Sequence, residues 1–293
     1  MRIILLKKRD LKIFAAALVL LIGLGTLGKL YKSSAAPVSA QAGVPVPILM
    51  YHSIYEDTQS KNTFVLSPKA LEQDLKYLQD NGFETVLIQD LIAYTENNVP
   101  LPEKPVVLTF DDGYLNNKTN VLPLLEKYNM CAVISVVGEF TDTFSKTEDL
   151  NPRYSHITWD DIAELEETGR IEIGSHTYNL HHDGARQGAK KKSGESAETY
   201  KSMLRRDLLA LQQTLSEKSG VLPVTFAYPY GHVSEESLDV IKEVGFKASM
   251  SCYEKMNYVT HDASCLYLLG RYNRPSGVST QDFMVKVLRE AQQ

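Results

Sequence analysis

Val106-Val107-Leu108-Thr109-Phe110-Asp111-Asp112-Gly113-Tyr114 is an apolar, largely β-branched run that ends in two adjacent carboxylates and a glycine. It reads as a buried strand that delivers acidic groups to its end. Neighbouring side chains on a strand face opposite sides. A turn at Gly113 relaxes that rule, so one carboxylate can ligate a metal while the other handles a proton. Two adjacent charges leaving a hydrophobic strand are costly unless a cation or hydrogen bonds compensate them. Taken alone, Asp-Asp-Gly is more simply a strand running into a polar loop or an Asx-turn; the rest of the chain changes that balance.

Strands and helices alternate on both sides of this stretch. Upstream, residues 48–51 read as a short strand with His52 at its end. Ser67-Pro68 opens a helix to about residue 80, with Leu71, Leu75 and Leu78 at helical spacing and Asn81-Gly82 to stop it. A short strand over 83–87 and a brief helix over 88–96 follow. Downstream, helices are expected over 118–128, 158–168, 197–216, 235–244 and 280–290. Strands are expected over 131–137, 171–176, 224–228, 246–251 and 266–271, and a mobile basic surface loop over 184–196. This alternation implies parallel strands covered by helices. No Gly-x-Gly-x-x-Gly follows an early strand, so a dinucleotide fold has no support. His52, Asp111-Asp112, His176 and Tyr230 all lie just past strand ends, the positions an α/β barrel gathers on one face.

The 293 residues carry 31 basic and 36 acidic side chains, a net charge of -5, which gives no electrostatic case for nucleic acid as a partner. Three cysteines are too few for a disulfide scaffold. Cys131 reads as a core residue, and Cys252 and Cys265 could pair in an oxidising compartment. Arg2, Lys7, Lys8, Arg9 and Lys12 precede an uncharged, mostly apolar segment at 13–28. That is the layout of a signal peptide or signal anchor, assigned to residues 1–30. Residues 31–45 read as a flexible tether and 46–293 as one catalytic domain. The expected location is outside the cell or on the outer face of the cytoplasmic membrane, held there by the N-terminal segment if it is uncleaved.

Two further segments bear on chemistry. His176 and His181 lie five apart in Ser175-His176-Thr177-Tyr178-Asn179-Leu180-His181-His182. If the backbone turns between them, they and one aspartate form a set suited to zinc and to some other divalent metals; a solvent-facing polar loop is the plainer alternative. Tyr228-Pro229-Tyr230-Gly231 is a tight turn that can aim a backbone N–H at a developing oxyanion, or an ordinary turn with packed aromatics. Tyr51, Tyr114, Tyr178, Tyr230 and Trp159 could offer stacking surfaces to sugar rings, although packing is the simpler role for Trp159. Arg271 and Arg274 follow an expected strand and are candidates to orient Asp111 or the substrate. Lys190-Lys191-Lys192 reads as solvated.

Thr109-Phe110-Asp111-Asp112-Gly113, the segment from His176 to His181, and Phe226-Ala227-Tyr228-Pro229-Tyr230-Gly231 together resemble the motifs of the polysaccharide deacetylase family. These carbohydrate esterases include deacetylases of chitin, peptidoglycan and poly-N-acetylglucosamine. The resemblance runs from about residue 47 to 288. It implies an irregular (β/α)7 barrel and a divalent metal, most often zinc, with cobalt or nickel as alternatives, held by Asp112, His176 and His181. It further implies Asp111 as general base and the Tyr230 backbone N–H in the oxyanion hole. The chain departs from the wider family in three ways. The histidine spacing is five rather than four, Ala227 stands in the apparent place of an arginine that steadies the base, and no late Leu-x-His motif supplies the general acid. The spacing and the start Val46-Pro47-Ile48-Leu49-Met50-Tyr51-His52 are similar to the biofilm poly-β-1,6-N-acetylglucosamine deacetylases. That similarity makes His52 the candidate general acid, with His261 a weaker one. The implied partner is an acetylated polysaccharide of the cell wall or extracellular matrix. Peptidoglycan or chitooligosaccharide deacetylation is the alternative activity, and a non-catalytic carbohydrate-binding protein with a degenerate site is the alternative class.

Overall fold

Among the described residues the quoted stretch forms the longest strand, and every residue from Pro105 to Asp112 is buried. The structure, a computed structural model, describes residues 43–56 and 62–288. The expected signal or anchor and nearly all of the expected tether lie outside the described residues. Among these residues there are twelve strands: β1 Val44–Val46, β2 Ile48–Tyr51, β3 Ser53–Ile54, β4 Val65–Leu66, β5 Glu84–Thr85, β6 Pro105–Asp112, β7 Ala132–Val136, β8 Ile171–Ser175, β9 Thr225–Ala227, β10 Ala248–Met250, β11 Asn257–Val259 and β12 Tyr272–Asn273.

The main sheet is parallel, in the order β10-β9-β8-β7-β6-β2-β12, with β5 pairing the start of β6. It curls until its ends approach. Leu269 forms a parallel bridge with Met250 of β10, donating to Ser249 O and accepting from Ser251 N, each at 2.8 Å. Three residues on, β12 lies along β2. One short segment therefore spans the gap between first and last strands, and the seven-stranded ring expected from the resemblance closes at that seam.

Side-chain alternation along β6 sorts its residues. Val106, Leu108 and Phe110 pack outward with Leu75, Leu125 and Trp159 of the covering helices. Val107 packs inward with Ile48, Val133, Ala227, Ala248 and Met250. Thr109 and Asp111 share the inward parity of Val107, so the strand carries Asp111 toward the interior at its C-terminal end. Helix Ile88–Asn97 adds Ile88 and Leu91 to the interior cluster. Helices Ala197–Ser219 and Ser237–Val244 cover β9 through Leu204, Leu208, Val240 and Ile241.

Several elements match their sequence reading closely. Helix Pro68–Asp80 is capped by Ser67, whose Oγ accepts from Ala70 N at 3.2 Å. Helix Trp159–Glu167 is capped by Thr158. Others differ for identifiable reasons. The helix expected over 118–128 is divided into a π-turn, Asn117–Val121, and an α-helix, Leu122–Tyr128. Pro123 has no N–H to continue the regular ladder there. The strand expected over 266–271 is a 3-10 turn, Ala263–Leu266, followed by a left-handed Leu268 with φ 58, and the pairing with β2 begins only at Tyr272. β1 and β11 pair antiparallel and were not anticipated, so Val44 and Pro45, placed at the end of the tether, are strand residues.

The basic segment at 184–196 is not a free loop. Arg186 forks onto Glu195 at 2.6 and 3.0 Å, Lys191 pairs with Glu236, and Ala189 is buried under Tyr200, whose hydroxyl donates to Ala189 O. The pairing considered for Cys252 and Cys265 is absent, and all three cysteines are free thiols. Among the described residues no helix is long and apolar enough to cross a membrane.

Candidate active site

The parallel ring brings the ends of β2, β6, β8 and β9 to one face, and with them His52, Asp111-Asp112, His176 and Tyr230. Asp111 points inward, as its register requires. Asp112 does not continue the alternation: its φ of 71 turns the chain one residue before Gly113, whose φ is 68. Six non-glycine residues among those described have positive φ, and two of them, Asn98 and Asn129, end helices. Three others, Asp112, Thr177 with φ 76 and Tyr230 with φ 57, are site residues or adjoin one. Left-handed backbone at non-glycine positions costs energy, and its clustering here fits a functional site.

Asp112 Oδ1 lies 3.1 Å from His181 Nε2 and 3.6 Å from His176 Nε2. That oxygen is buried, yet it makes no hydrogen bond of acceptable geometry. One ligand atom from each of the three residues falls within 4.8 Å of the others. The His176 Nδ1–H donates to Ala227 O at 2.8 Å, which leaves Nε2 as the lone-pair nitrogen facing Asp112. Burial pushes His176 down to about 4, so the ring is neutral, as a ligand must be. Burial alone would raise the Asp112 carboxyl, but His181, His52 and His176 hold it well below the usual range. Burial likewise lowers His181, and the Asp112 carboxylate more than offsets this. The donor set attracts positive charge to its centre and fits a divalent metal.

The loop between the two histidines is held from outside the ring. Asp207, on helix Ala197–Ser219, accepts from the backbone N–H of Tyr178 at 2.8 Å and of Asn179 at 2.9 Å. Thr177 Oγ1 accepts from Leu180 N at 3.2 Å. These bonds let residues five apart present both imidazoles to one carboxylate.

Asp111 is met by Arg271, which is wholly buried. Its Nη1 donates to Oδ1 at 2.7 Å and its Nη2 to Oδ2 at 2.8 Å, while Nε donates to Ser251 O at 2.9 Å. Burial opposes ionisation of Asp111, and the guanidinium outweighs it, so the carboxyl stays below its ordinary value. Ala227 carries no charge at the place of the expected arginine, and the cation comes from the seam segment instead. His52 lies close enough that its charge bears on both aspartates. Its Nδ1 is enclosed without a hydrogen-bond partner, its ring meets Phe64 at 4.7 Å, and its carbonyl accepts from Asn117 Nδ2 at 2.8 Å. Tyr230 packs over His181 at 4.6 Å and keeps 44% of its surface exposed. Tyr114 faces Asp112, and burial with that carboxylate raises its phenol.

Other expected site residues lie elsewhere. Tyr51 is in the outer core, stacked on Phe110 at 5.1 Å with its hydroxyl on Asp74, so it offers no face to a sugar. Arg274 pairs with Asp74 and caps the carbonyls of Pro275 and Val278, away from Asp111. His261 stacks on Tyr94 of helix Ile88–Asn97 and bonds its carbonyl, remote from the aspartates. Tyr178 and Trp159 both donate to Asp142 and serve packing. The sequence reading missed His156. Its Nδ1 bonds Asp112 O at 2.9 Å and its ring stacks on Tyr114 at 4.7 Å, which braces the left-handed turn. No motif spacing marks it; only the bridge between Tyr114 and His156 brings it there.

A family profile described as "Polysaccharide deacetylase" matches residues 98–249, just over half of the chain. The chain is 28% identical over 224 residues to the poly-β-1,6-N-acetyl-D-glucosamine N-deacetylase of Escherichia coli, covering 68% of this chain and 32% of that protein. It therefore spans about a third of that relative's length. The Staphylococcus aureus enzyme of the same name is 25% identical over 221 residues, 73% of this chain and 70% of its own. A solved de-N-acetylase from Aggregatibacter actinomycetemcomitans superposes with a TM-score of 0.69 at 30% identity, covering 82% of this chain and 99% of that one.

Proposed function

Because the chain belongs to the polysaccharide deacetylase family, we propose that it removes N-acetyl groups from an extracellular N-acetylglucosamine polymer, poly-β-1,6-N-acetylglucosamine in the first instance, and releases acetate. The observation that carries this reading is the pairing of two unlike aspartates: Asp112 turned toward two histidines, and Asp111 held ionised inside the ring by Arg271. A divalent metal held by Asp112, His176 and His181, zinc by the chemistry of the donor set, would supply Lewis acidity to the acetyl carbonyl and the attacking water.

The chain's own groups then have distinct tasks. Asp111 is ionised and takes the proton of the attacking water; Arg271 fixes the plane of its carboxylate and uses one lone pair on each oxygen, leaving another free. The backbone N–H of Tyr230 meets the oxyanion as it develops. His52 in its protonated form donates to the departing amine. The products are acetate and a glucosamine amine. The relatives' names support the polymer, and the likeness in histidine spacing supports the subgroup. The basic and apolar N-terminal sequence supports export, with the domain outside the cell.

The test is acetate release from a panel of β-1,6-linked N-acetylglucosamine oligomers, chitooligosaccharides and peptidoglycan, before and after metal is stripped and restored. The expected result is metal-dependent release with β-1,6 oligomers preferred, and loss of turnover with retained metal in Asp111→Asn. Release only from peptidoglycan or chitooligosaccharides would reassign the substrate. Bound metal with no release from any of them would end the hydrolase reading.

A further inference from the structure

Three buried polar atoms at and beside His52 make no hydrogen bond among the described residues: its own Nδ1, Asn117 Oδ1 and Asn273 Oδ1. The sheet order β6-β2-β12 brings them together, because it puts His52, just past β2, between the other two. Asn117 follows β6 and is fully buried. Its Nδ2 donates to His52 O at 2.8 Å and to Asn116 Oδ1 at 3.3 Å, so only its oxygen is left over. Asn273 is on β12 as the register partner of Met50. Met50 and His52 continue the inward parity of Ile48. Asn273 therefore points inward beside them, one strand across and two residues back from His52, about 8 Å between Cα atoms.

The place is enclosed. Phe64 meets the His52 ring edge-on at 4.7 Å. Phe64 is itself tied down: Ser53 N donates to its carbonyl at 3.2 Å, and Ser276 N, just beyond β12, donates to Thr63 O at 3.1 Å. Buried polar atoms left unpaired are costly, and three in one place need a common partner. Their roles are complementary. The Nδ1–H of a protonated imidazole donates one bond, and each amide oxygen accepts one. A single water accepts the first and donates the other two, and about three bonds is what a buried water makes. A cation would be opposed by the Nδ1–H and an anion by the two amide oxygens, so the occupant is neutral.

We propose that His52 Nδ1, Asn117 Oδ1 and Asn273 Oδ1 hold one buried water that orients the general acid. The water keeps the Nδ1 proton in place, so Nε2 is the nitrogen that acts. Its N–H bond breaks as the carbon–nitrogen bond of the tetrahedral adduct breaks; the proton goes to the departing amine, and the ring is left neutral with its proton on Nδ1. Asn273 is thus a positioning residue. One segment steadies the base through Arg271 and, two residues on, the acid. The proposal rests on the deacetylase reading for its kinetic consequence, but the water site stands apart from it.

Two measurements test it. A high-resolution crystal structure should show an ordered water within hydrogen-bond distance of all three atoms; a well-ordered His52 with no such water overturns the proposal. In kinetics, Asn273→Leu keeps a similar volume without the acceptor. It lowers kcat for acetate release from N-acetylglucosamine oligomers about tenfold, the scale of one hydrogen bond to a charged group, with KM unchanged. The ratio of amide to p-nitrophenyl acetate hydrolysis falls with it, because the phenolate leaves without a proton. Asn273→Asp, which keeps an acceptor, restores most of that ratio. Once His52→Ala is present, Asn273→Leu costs nothing more. An equal loss for amide and ester, or additive losses in the double variant, overturns the positioning role. A wild type that releases no acetate from any N-acetylated sugar ends the deacetylase reading instead, and the crystal structure still decides the water.

Discussion

Asp111 ionises inside the ring because Arg271, equally buried, meets both of its oxygens. Removing one partner of such a pair strands a charge away from water, at a cost of about 3–5 kcal/mol. Arg271→Met should lose stability on that scale in denaturant unfolding, and adding Asp111→Asn should return part of it, since a neutral amide needs no counter-charge. Arg271→Met with wild-type stability would mean that the guanidinium carries none of this load. His52 makes a separate prediction: His52→Ala should keep its metal by elemental analysis yet lose acetate release about 100-fold or more, the usual worth of a proton donor. Turnover at the wild-type rate would remove His52 from the mechanism. At this scale the strand parity that parts adjacent residues sorts the site, although it was applied to Asp111 and not to Tyr51, whose ring packs outward instead of facing a sugar. Tyr51 and His52 are neighbours, as are Phe110 and Asp111, and in each pair the aromatic faces the helices while its neighbour serves the site. Arg271 and Arg274 are three apart in an extended segment, so they face opposite ways. Spacing alone does not distinguish the two arginines, because a 3-10 turn and a left-handed Leu268 delay the last strand to Tyr272 and no local signal marks that boundary.

Helix Ile88–Asn97 begins without a side-chain cap of its own at Leu87. Glu172 of β8 supplies one from the interior, accepting from Gln89 N at 2.9 Å and from Thr225 Oγ1 at 3.0 Å. Burial raises Glu172 to about 7, from an ordinary value of 4.5. Because the folded value lies above the unfolded one, its contribution to stability is complete below about pH 4.5 and is lost as pH rises through about 7, a term of order 3 kcal/mol. Glu172→Gln should therefore gain on wild type across that window in unfolding experiments and run parallel to it above. Two curves that stay parallel from pH 4 to 8 would refute the assignment. Long, strongly periodic elements such as helix Pro68–Asp80 were readable because a full apolar face repeats along them. β1, β3, β4 and β11 have two or three residues each, too few to show a period, and their pairing depends on partners far away in the chain. The loop from His176 to His181 was unreadable for a similar reason: its shape is set by Asp207, on a helix that begins 16 residues after His181.

For the whole molecule, the donor set ties metal to folding, because Asp112, His176 and His181 come from β6, from the end of β8 and from the loop beyond it. A metal that binds only the folded chain should stabilise it by about 2.7 kcal/mol when free metal is 100-fold above its Kd. The melting temperature should rise with added zinc and fall with chelator, and Asp112→Ala should abolish both responses. A melting curve indifferent to zinc would argue against a site at these three residues. The ring has one further property. Its seam pairs with β10 at one residue, Leu269, and is otherwise held by bonds of Leu268, Gly270 and Arg271 to Ser249, Asn257, Ser251 and Tyr253, and the cation that keeps Asp111 ionised sits two residues along the same short segment. Fraying there would silence the enzyme while its helices still stand, so heat or denaturant should extinguish acetate release at milder conditions than those that erase the circular dichroism.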